Sequence, residues 1–146
     1  MNLRRRLLWV LGWWGGGARF GWAQHVPTPE LIRPYVGQAR VQTGRVKLEM
    51  PRLADNGFSV PLKVAVTSVM DGQDSVLRLL LLSNRNPRPL IAEFEYGSAS
   101  AQPVMATRVR LGGSQTVFAL ALFSDGSWWM DSTEVEVTES ACLDQT

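Results

Sequence analysis

No disulfide can close inside this chain, because it holds a single cysteine, Cys142, four residues from the end of the 146. A lone cysteine leaves three roles: a reactive thiol, an intermolecular disulfide or an inert passenger. A passenger is usually buried. Here Glu139, Ser140, Asp144, Gln145 and Thr146 surround it, so burial is not expected. Histidine is equally scarce. His25 is the only one, and without a second histidine or cysteine beside it there is no ordinary transition-metal cage. The sequence also lacks a G-x-S-x-G elbow, an H-E-x-x-H pair, a C-x-x-C pair, a P-loop and a dinucleotide fingerprint. Asp55, Asp71, Asp74 and Asp125 fall beside turn glycines, where aspartate bonds the local backbone. They read as turn chemistry, not as an acid–base pair. The expectation is a non-enzymatic protein with no metal and no cofactor.

Long hydrophobic runs are missing as well. The apolar stretch Leu7 to Trp14 is broken by Gly12 and falls short of the roughly 20 residues of a spanning helix, so no membrane span is expected. Arg4, Arg5 and Arg6 precede it, and a Gly-rich run after it ends in small residues at Gly21 and Ala23. That order is the charged, apolar and cleavage region of an export signal. Arg4 and Arg5 with Leu7 and Leu8 fit the twin-arginine type, although Leu3 stands where a polar residue is usual; an ordinary secretory signal is the alternative. Segment 1–23 is therefore expected to be removed, leaving a mature chain in the periplasm. Four of the fifteen basic residues lie in that segment, which leaves eleven against thirteen acidic ones. The basic character of the whole chain thus gives no reason to expect nucleic acid.

What is present is a β pattern. Residues 24–43 form an expected N-terminal arm that starts as a short helix, capped by Thr28 with Pro29 at its first position and limited by Pro34 to one or two turns. From Gly44 onward seven segments read as strands: "VKLEM", "SVPLKVAVTS", "SVLRLLLLS", "LIAEFEY", "VMATRVRL", "TVFALALF" and "WWMDSTEVEVT". "PRLADNG" interrupts them, with Asn56-Gly57 as a turn. Turn signals every eight to twelve residues predict an antiparallel β-sandwich over 44–138. Of the two tryptophans after the "SDGS" turn, Trp128 and Trp129, one is expected in the core and the other toward a partner.

One strand is apolar on both faces. Val117, Ala119, Ala121 and Phe123 share one face, and Phe118, Leu120 and Leu122 the other. An outer sheet face is ordinarily polar, so something must cover it: the chain's own N-terminal arm or a partner subunit. The partner is the expectation, with Phe118, Leu120, Leu122 and Trp128 as the interface. Arg108 and Arg110 share a strand face. They are either solvated or placed to guide an anion.

The blocks "GRVKLEMPRLADNGFSVPLKVAV", "NPRPLIAEF", "ATRVRLGGSQTVFALA", "SDGSWW" and "VEVTESAC" together resemble the SoxY family, from about Gly44 to Cys142. The resemblance implies an immunoglobulin-like sandwich that carries sulfur in the periplasmic thiosulfate-oxidising system. It implies a heterodimer with SoxZ. It also implies a flexible C-terminal arm, 139–146, whose Cys142 holds the sulfur covalently. The carrier would visit a thiosulfate-conjugating haem protein, SoxXA, then sulfate-releasing SoxB and sulfane-oxidising SoxCD. Thr138 matches the family's threonine four residues before the cysteine.

The arm departs from the family pattern. In the arm, which starts at Glu139, Ser140, Ala141, Leu143 and Asp144 stand where the family carries glycines around its cysteine. Glycine gives a slimmer arm, and the flanking Glu139 and Asp144 charges oppose thiol ionisation. A carrier for another sulfur compound therefore stays open, as does a structural or binding sandwich whose cysteine has no function.

Overall fold

A computed structural model of the chain describes residues 30–97 and 102–139. Nine strands and one short helix lie within them: α1 (Arg33–Val36), β1 (Val41–Gln42), β2 (Val46–Glu49), β3 (Leu53–Asn56), β4 (Val60–Val66), β5 (Val76–Ser83), β6 (Leu90–Glu95), β7 (Val104–Val109), β8 (Gln115–Phe123) and β9 (Trp128–Glu139). The larger sheet has the order β1-β9-β8-β5-β6, with β3 also paired to β9; the smaller has the order β2-β4-β7. The all-β sandwich is as expected, and all seven anticipated segments contribute strands.

The sandwich forms because most of these strands alternate. In β4, Val60, Leu62, Val64 and Val66 are buried while Pro61 and Lys63 are exposed. Val117, Ala119, Ala121 and Phe123 of β8 meet them across the interior, with Leu79 and Leu81 of β5 and Val135 and Val137 of β9. Removing one such Leu or Phe from water is worth roughly 1.5–3 kcal/mol.

The other face of β8 and β5 makes a second core. Phe118, Leu120, Leu80 and Leu82 lie against Ile32, Val36, Val41, Trp128 and Met130. Ile32, Leu80 and Leu120 are all fully buried. The cover over Phe118, Leu120, Leu122 and Trp128, expected from a partner, is supplied here by the chain's own arm. Trp128 joins this second core, whereas Trp129 packs on the main one.

Three local features differ from expectation. "PRLADNG" is not a break, since Leu53–Asn56 form β3. The sheet is also not purely antiparallel: β1 and β3 each pair with β9 in parallel, as Val41 with Trp128 and Ala54 with Val137. Chain 41–56 runs beside β9, crosses to the other sheet as β2, and returns. Finally, Pro34 does not limit a helix but sits in the first turn of α1, where a missing N–H costs nothing. Thr28 and Pro29 lie outside the described residues, as do segment 1–23 and His25.

Candidate functional site

The last described residue of β9 is the natural starting point, because Cys142 follows it by three. Strand β9 alternates through Val137, with Val135 and Val137 pointing into the core and Glu134 and Glu136 solvent-facing, and ends on two exposed residues, Thr138 and Glu139. Strand β3 holds that end in register, pairing Leu53 with Glu136, Ala54 with Val137 and Asn56 with Glu139. The Glu136 N–H donates to the Arg52 carbonyl at 2.7 Å and the Gly57 N–H to the Glu139 carbonyl at 2.8 Å. The Thr138 hydroxyl donates to the Asp55 carbonyl. Glu139, expected as the first residue of an arm, is thus the anchored end of a strand.

Gly57 links this end to the smaller sheet, because its carbonyl accepts from the Leu111 N–H at 2.8 Å. One hydrogen-bonded chain therefore runs from Leu111 through Gly57 to Glu139. The Asn56 side chain accepts from the Phe58 N–H at 3.2 Å, which fixes the turn that Asn-Gly announces.

Arginines gather around this end. Arg108 donates from Nε to the Ser59 hydroxyl at 2.5 Å and from Nη2 to the Ser59 carbonyl at 2.9 Å. The Arg110 guanidinium lies 5.3 Å from the centre of the Phe58 ring, a cation–π distance. Arg85 donates to the Ser114 carbonyl at 3.2 Å. Among the described residues none of the three forms an ion pair; the pairs that do form are Arg33–Glu30, Arg45–Asp74, Lys47–Glu49 and Arg78–Glu93. Their positions are set by neutral partners, so their charge is unspent.

Asn86 ties the surrounding loops together. Its amide nitrogen donates to the Arg110 carbonyl at 3.0 Å. Its oxygen accepts from the Gly112 N–H at 3.0 Å and the Gln115 amide at 3.2 Å. Neither this hub nor the β3 clamp was anticipated. The Asn-Gly pair was the signal available for the clamp; a lone asparagine in "NRNPRP" gave none.

The opposite end carries a charge pair with two contacts. Arg45 Nη2 reaches both carboxylate oxygens of Asp74 at 2.6 and 2.8 Å and also the Thr67 carbonyl. Its Cζ sits 3.9 Å from the Phe123 ring centre. Hydrogen bonding from Arg45, then from the Val69 N–H, holds the Asp74 carboxyl below its usual range. The Ser127 hydroxyl and N–H do the same for Asp125. Asp71 accepts from the N–H groups of Gln73 and Asp74. These aspartates perform turn chemistry, except that Asp74 also has an arginine partner.

No group of three or more His, Cys, Asp or Glu able to hold a metal occurs among the described residues. Ser140, Ala141, Cys142, Leu143 and Asp144 lie outside them.

The fold and this end define a two-sheet β-sandwich whose last strand is clamped three residues before its only cysteine. The model of the family described as sulfur oxidation protein SoxY matches residues 32–142, and the chain belongs to that family. No curated relative matches it. Among solved structures it resembles the superoxide reductase (neelaredoxin) of Ignicoccus hospitalis, with 17% identity over 64% of this chain and 80% of that one at a TM-score of 0.57. It also resembles a variant of the neelaredoxin of Archaeoglobus fulgidus in the reduced form, with 14% identity over 63% and 87% at 0.51. A hypothetical protein of Pyrococcus horikoshii gives 14%, 64%, 88% and 0.51 in the same order. At such identities the likeness is one of fold alone.

Proposed function

We propose that this chain is a non-catalytic sulfur carrier that holds thiosulfate-derived sulfur on Cys142. The observation that carries this reading is the clamp at Glu139, placed three residues before the single thiol. The family match supports it, since the matched region runs through to Cys142. A carrier needs a fixed root and a tethered nucleophile that is also a good leaving group. Sulfur is both, as thiolate and as persulfide. The enzymes that load and unload it are SoxXA, SoxB and SoxCD, and SoxZ is the stable partner. Export by the twin-arginine signal in 1–23 puts the carrier in the periplasm. With Phe118, Leu120 and Trp128 occupied by α1 and β1, SoxZ would meet the outside of that arm or an open sheet edge.

The deciding experiment is the intact mass of the mature protein from thiosulfate-grown cells, with and without reductant. Reductant-sensitive sulfur or thiosulfate adducts on Cys142, with a small co-purifying chain, are expected. A bare thiol under those conditions would remove the reading. Cys142→Ser should keep the heterodimer and abolish thiosulfate-dependent growth. The Ser140-Ala141-Cys142-Leu143 tail favours one second reading, a carrier for a different sulfur compound, which the same adduct masses would reveal.

A further inference from the structure

Asn56-Gly57 is the sole Asn-Gly pair of the sequence, and such a pair can modify itself. The Gly57 nitrogen, once it loses its proton, attacks Asn56 Cγ. A new N–C bond forms, the bond from Cγ to the carboxamide nitrogen breaks, and ammonia leaves with the electron pair. Water then opens the cyclic imide at either carbonyl. One product is aspartate. The other is isoaspartate, whose main chain runs through the former side chain and is longer by a methylene. Water is the only co-reactant, and nothing is oxidised or reduced. Glycine favours the closure because it has no Cβ to crowd the nitrogen. Asn2 and Asn84 precede Leu3 and Arg85, whose side chains obstruct the attack, and Asn86 precedes Pro87, which has no N–H to lose. The Asp-Gly pairs at 71–72 and 125–126 carry carboxylates, which are poor electrophiles.

The folded strand withholds the nucleophile. The Gly57 N–H donates to the Glu139 carbonyl at 2.8 Å, so ionising that nitrogen costs the bond. Asn56 is the ladder partner of Glu139. An extended residue of a parallel ladder has ψ of about +115°, which turns the following nitrogen away from its own side chain. Gly57 is buried and Asn56 exposed, so solvent reaches the carboxamide but not the group that must attack it. A further contact acts in the opposite sense. Asn56 Oδ1 accepts from the Phe58 N–H at 3.2 Å. That bond is local to the turn and needs no contact with β9. It places a donor on the oxygen where negative charge develops during attack. The turn is prepared for closure, and only the end of β9 prevents it. Strand ends are among the first segments to open.

We propose that Asn56 is a site of intramolecular deamidation gated by the end of β9. While the Glu139 carbonyl holds Gly57, Asn56 persists. When it lets go, Gly57 closes on Asn56. Isoaspartate then sets an extra methylene between Ala54, the partner of Val137, and Gly57, the partner of Glu139. The ladder cannot re-form in register, and the Leu111 N–H, which donates to the Gly57 carbonyl, loses its acceptor's position. A transient opening is thereby made permanent, and the chain keeps a covalent record of it. The gate is independent of any cargo the protein carries.

The test incubates the mature full chain in mildly alkaline heavy-oxygen water. Trypsin cuts after Arg52 and Lys63, and Asn56 is the only asparagine between them, so the mass of that peptide reports the exchange of NH2 for labelled OH. Isoaspartyl methyltransferase separates the two products. The native protein should react at least about tenfold more slowly than the same chain unfolded in urea or the free 53–63 peptide. Thr138→Val removes the hydroxyl bond to the Asp55 carbonyl and should speed deamidation by about two- to tenfold, the population change that one net hydrogen bond allows. Thr138→Ser, which keeps the hydroxyl, should match wild type. Urea below the unfolding transition should accelerate the wild-type reaction in step with Gly57 amide exchange, which tests the gate without any variant. Purified isoaspartyl protein should show no protection of the Gly57 amide. A native rate equal to that of the free peptide would overturn the gate, as would deamidation that ignores Gly57 exchange. Isoaspartyl protein with Gly57 still protected would overturn the permanence of the opening. An unfolded chain that keeps Asn56 intact would remove the site itself.

Discussion

The Gly57 N–H donates to the carbonyl of Glu139 at 2.8 Å, joining the turn after β3 to the end of β9. The bond closes a parallel ladder in which Asn56 is the partner of Glu139. It sets where the chain leaves the sandwich, and the neighbouring Thr138–Asp55 bond reinforces it.

Thr138→Val should therefore loosen the end of β9 while leaving the sandwich folded. The lost hydroxyl bond corresponds to about 0.5–1.5 kcal/mol. Urea midpoints should fall accordingly, and the Gly57 amide should exchange faster with solvent. Unchanged Gly57 protection would mean that the ladder alone holds the strand.

Ile32→Ala tests the intramolecular cover. Ile32 is fully buried against the second core, and truncations of that kind cost about 2–5 kcal/mol. Thermal unfolding should move to lower temperature by a margin matching that range. A loss below about 1 kcal/mol, well under the usual cost of such a truncation, would mean that the arm contributes little to covering Leu80 and Leu120.

Asp74→Asn should change the response to acid. The Asp74 carboxyl is held below its usual range by hydrogen bonding from Arg45 and the Val69 N–H. A depressed carboxyl contributes stability above its unfolded value, roughly pH 3.9. That contribution disappears as pH falls through the lower folded value. The stability gap between wild type and variant should be widest near neutrality and close below about pH 4. A gap independent of pH would assign the pair no role in acid unfolding.

Asn86→Ala should destabilise the end of the sandwich that bears Arg110. It leaves the Gly112 N–H and the Gln115 amide short of a partner, and such losses run to about 1–3 kcal/mol. Calorimetry measures the loss, and NMR shifts should concentrate at residues 110–115. A diffuse pattern would contradict the hub.

Much of the fold was legible because burial writes period two into a strand. The faces of β4 and both faces of β8 were readable residue by residue. Strand β3 was not. It shows only Ala54 buried, with Leu53, Asp55 and Asn56 exposed, so it carries no alternation, and its existence depends on its distant partner β9. The parallel edges escaped for the same reason. The double apolar character of β8 announced a cover without naming it, since an arm and a partner bury a leucine equally well. At the site, Asn56-Gly57 signalled a turn but not that the turn holds Glu139. Arg108 and Arg110 were visible as a pair; Ser59 and Phe58, which aim them, were not.

Strand β9 borders β8 on one side and both β1 and β3 on the other, and it contributes to both cores. It is also the last in chain order among the described strands. A polypeptide emerging N-terminus first can assemble hairpins such as β5–β6 early, but neither core can close until β9 arrives. Folding is therefore dominated by contacts distant in sequence, which are slow to form, and a chain interrupted before β9 exposes two apolar layers at once. The strand that positions the cysteine is the same one that completes the molecule, so a chain able to present its thiol at a clamped root is a chain that has finished folding.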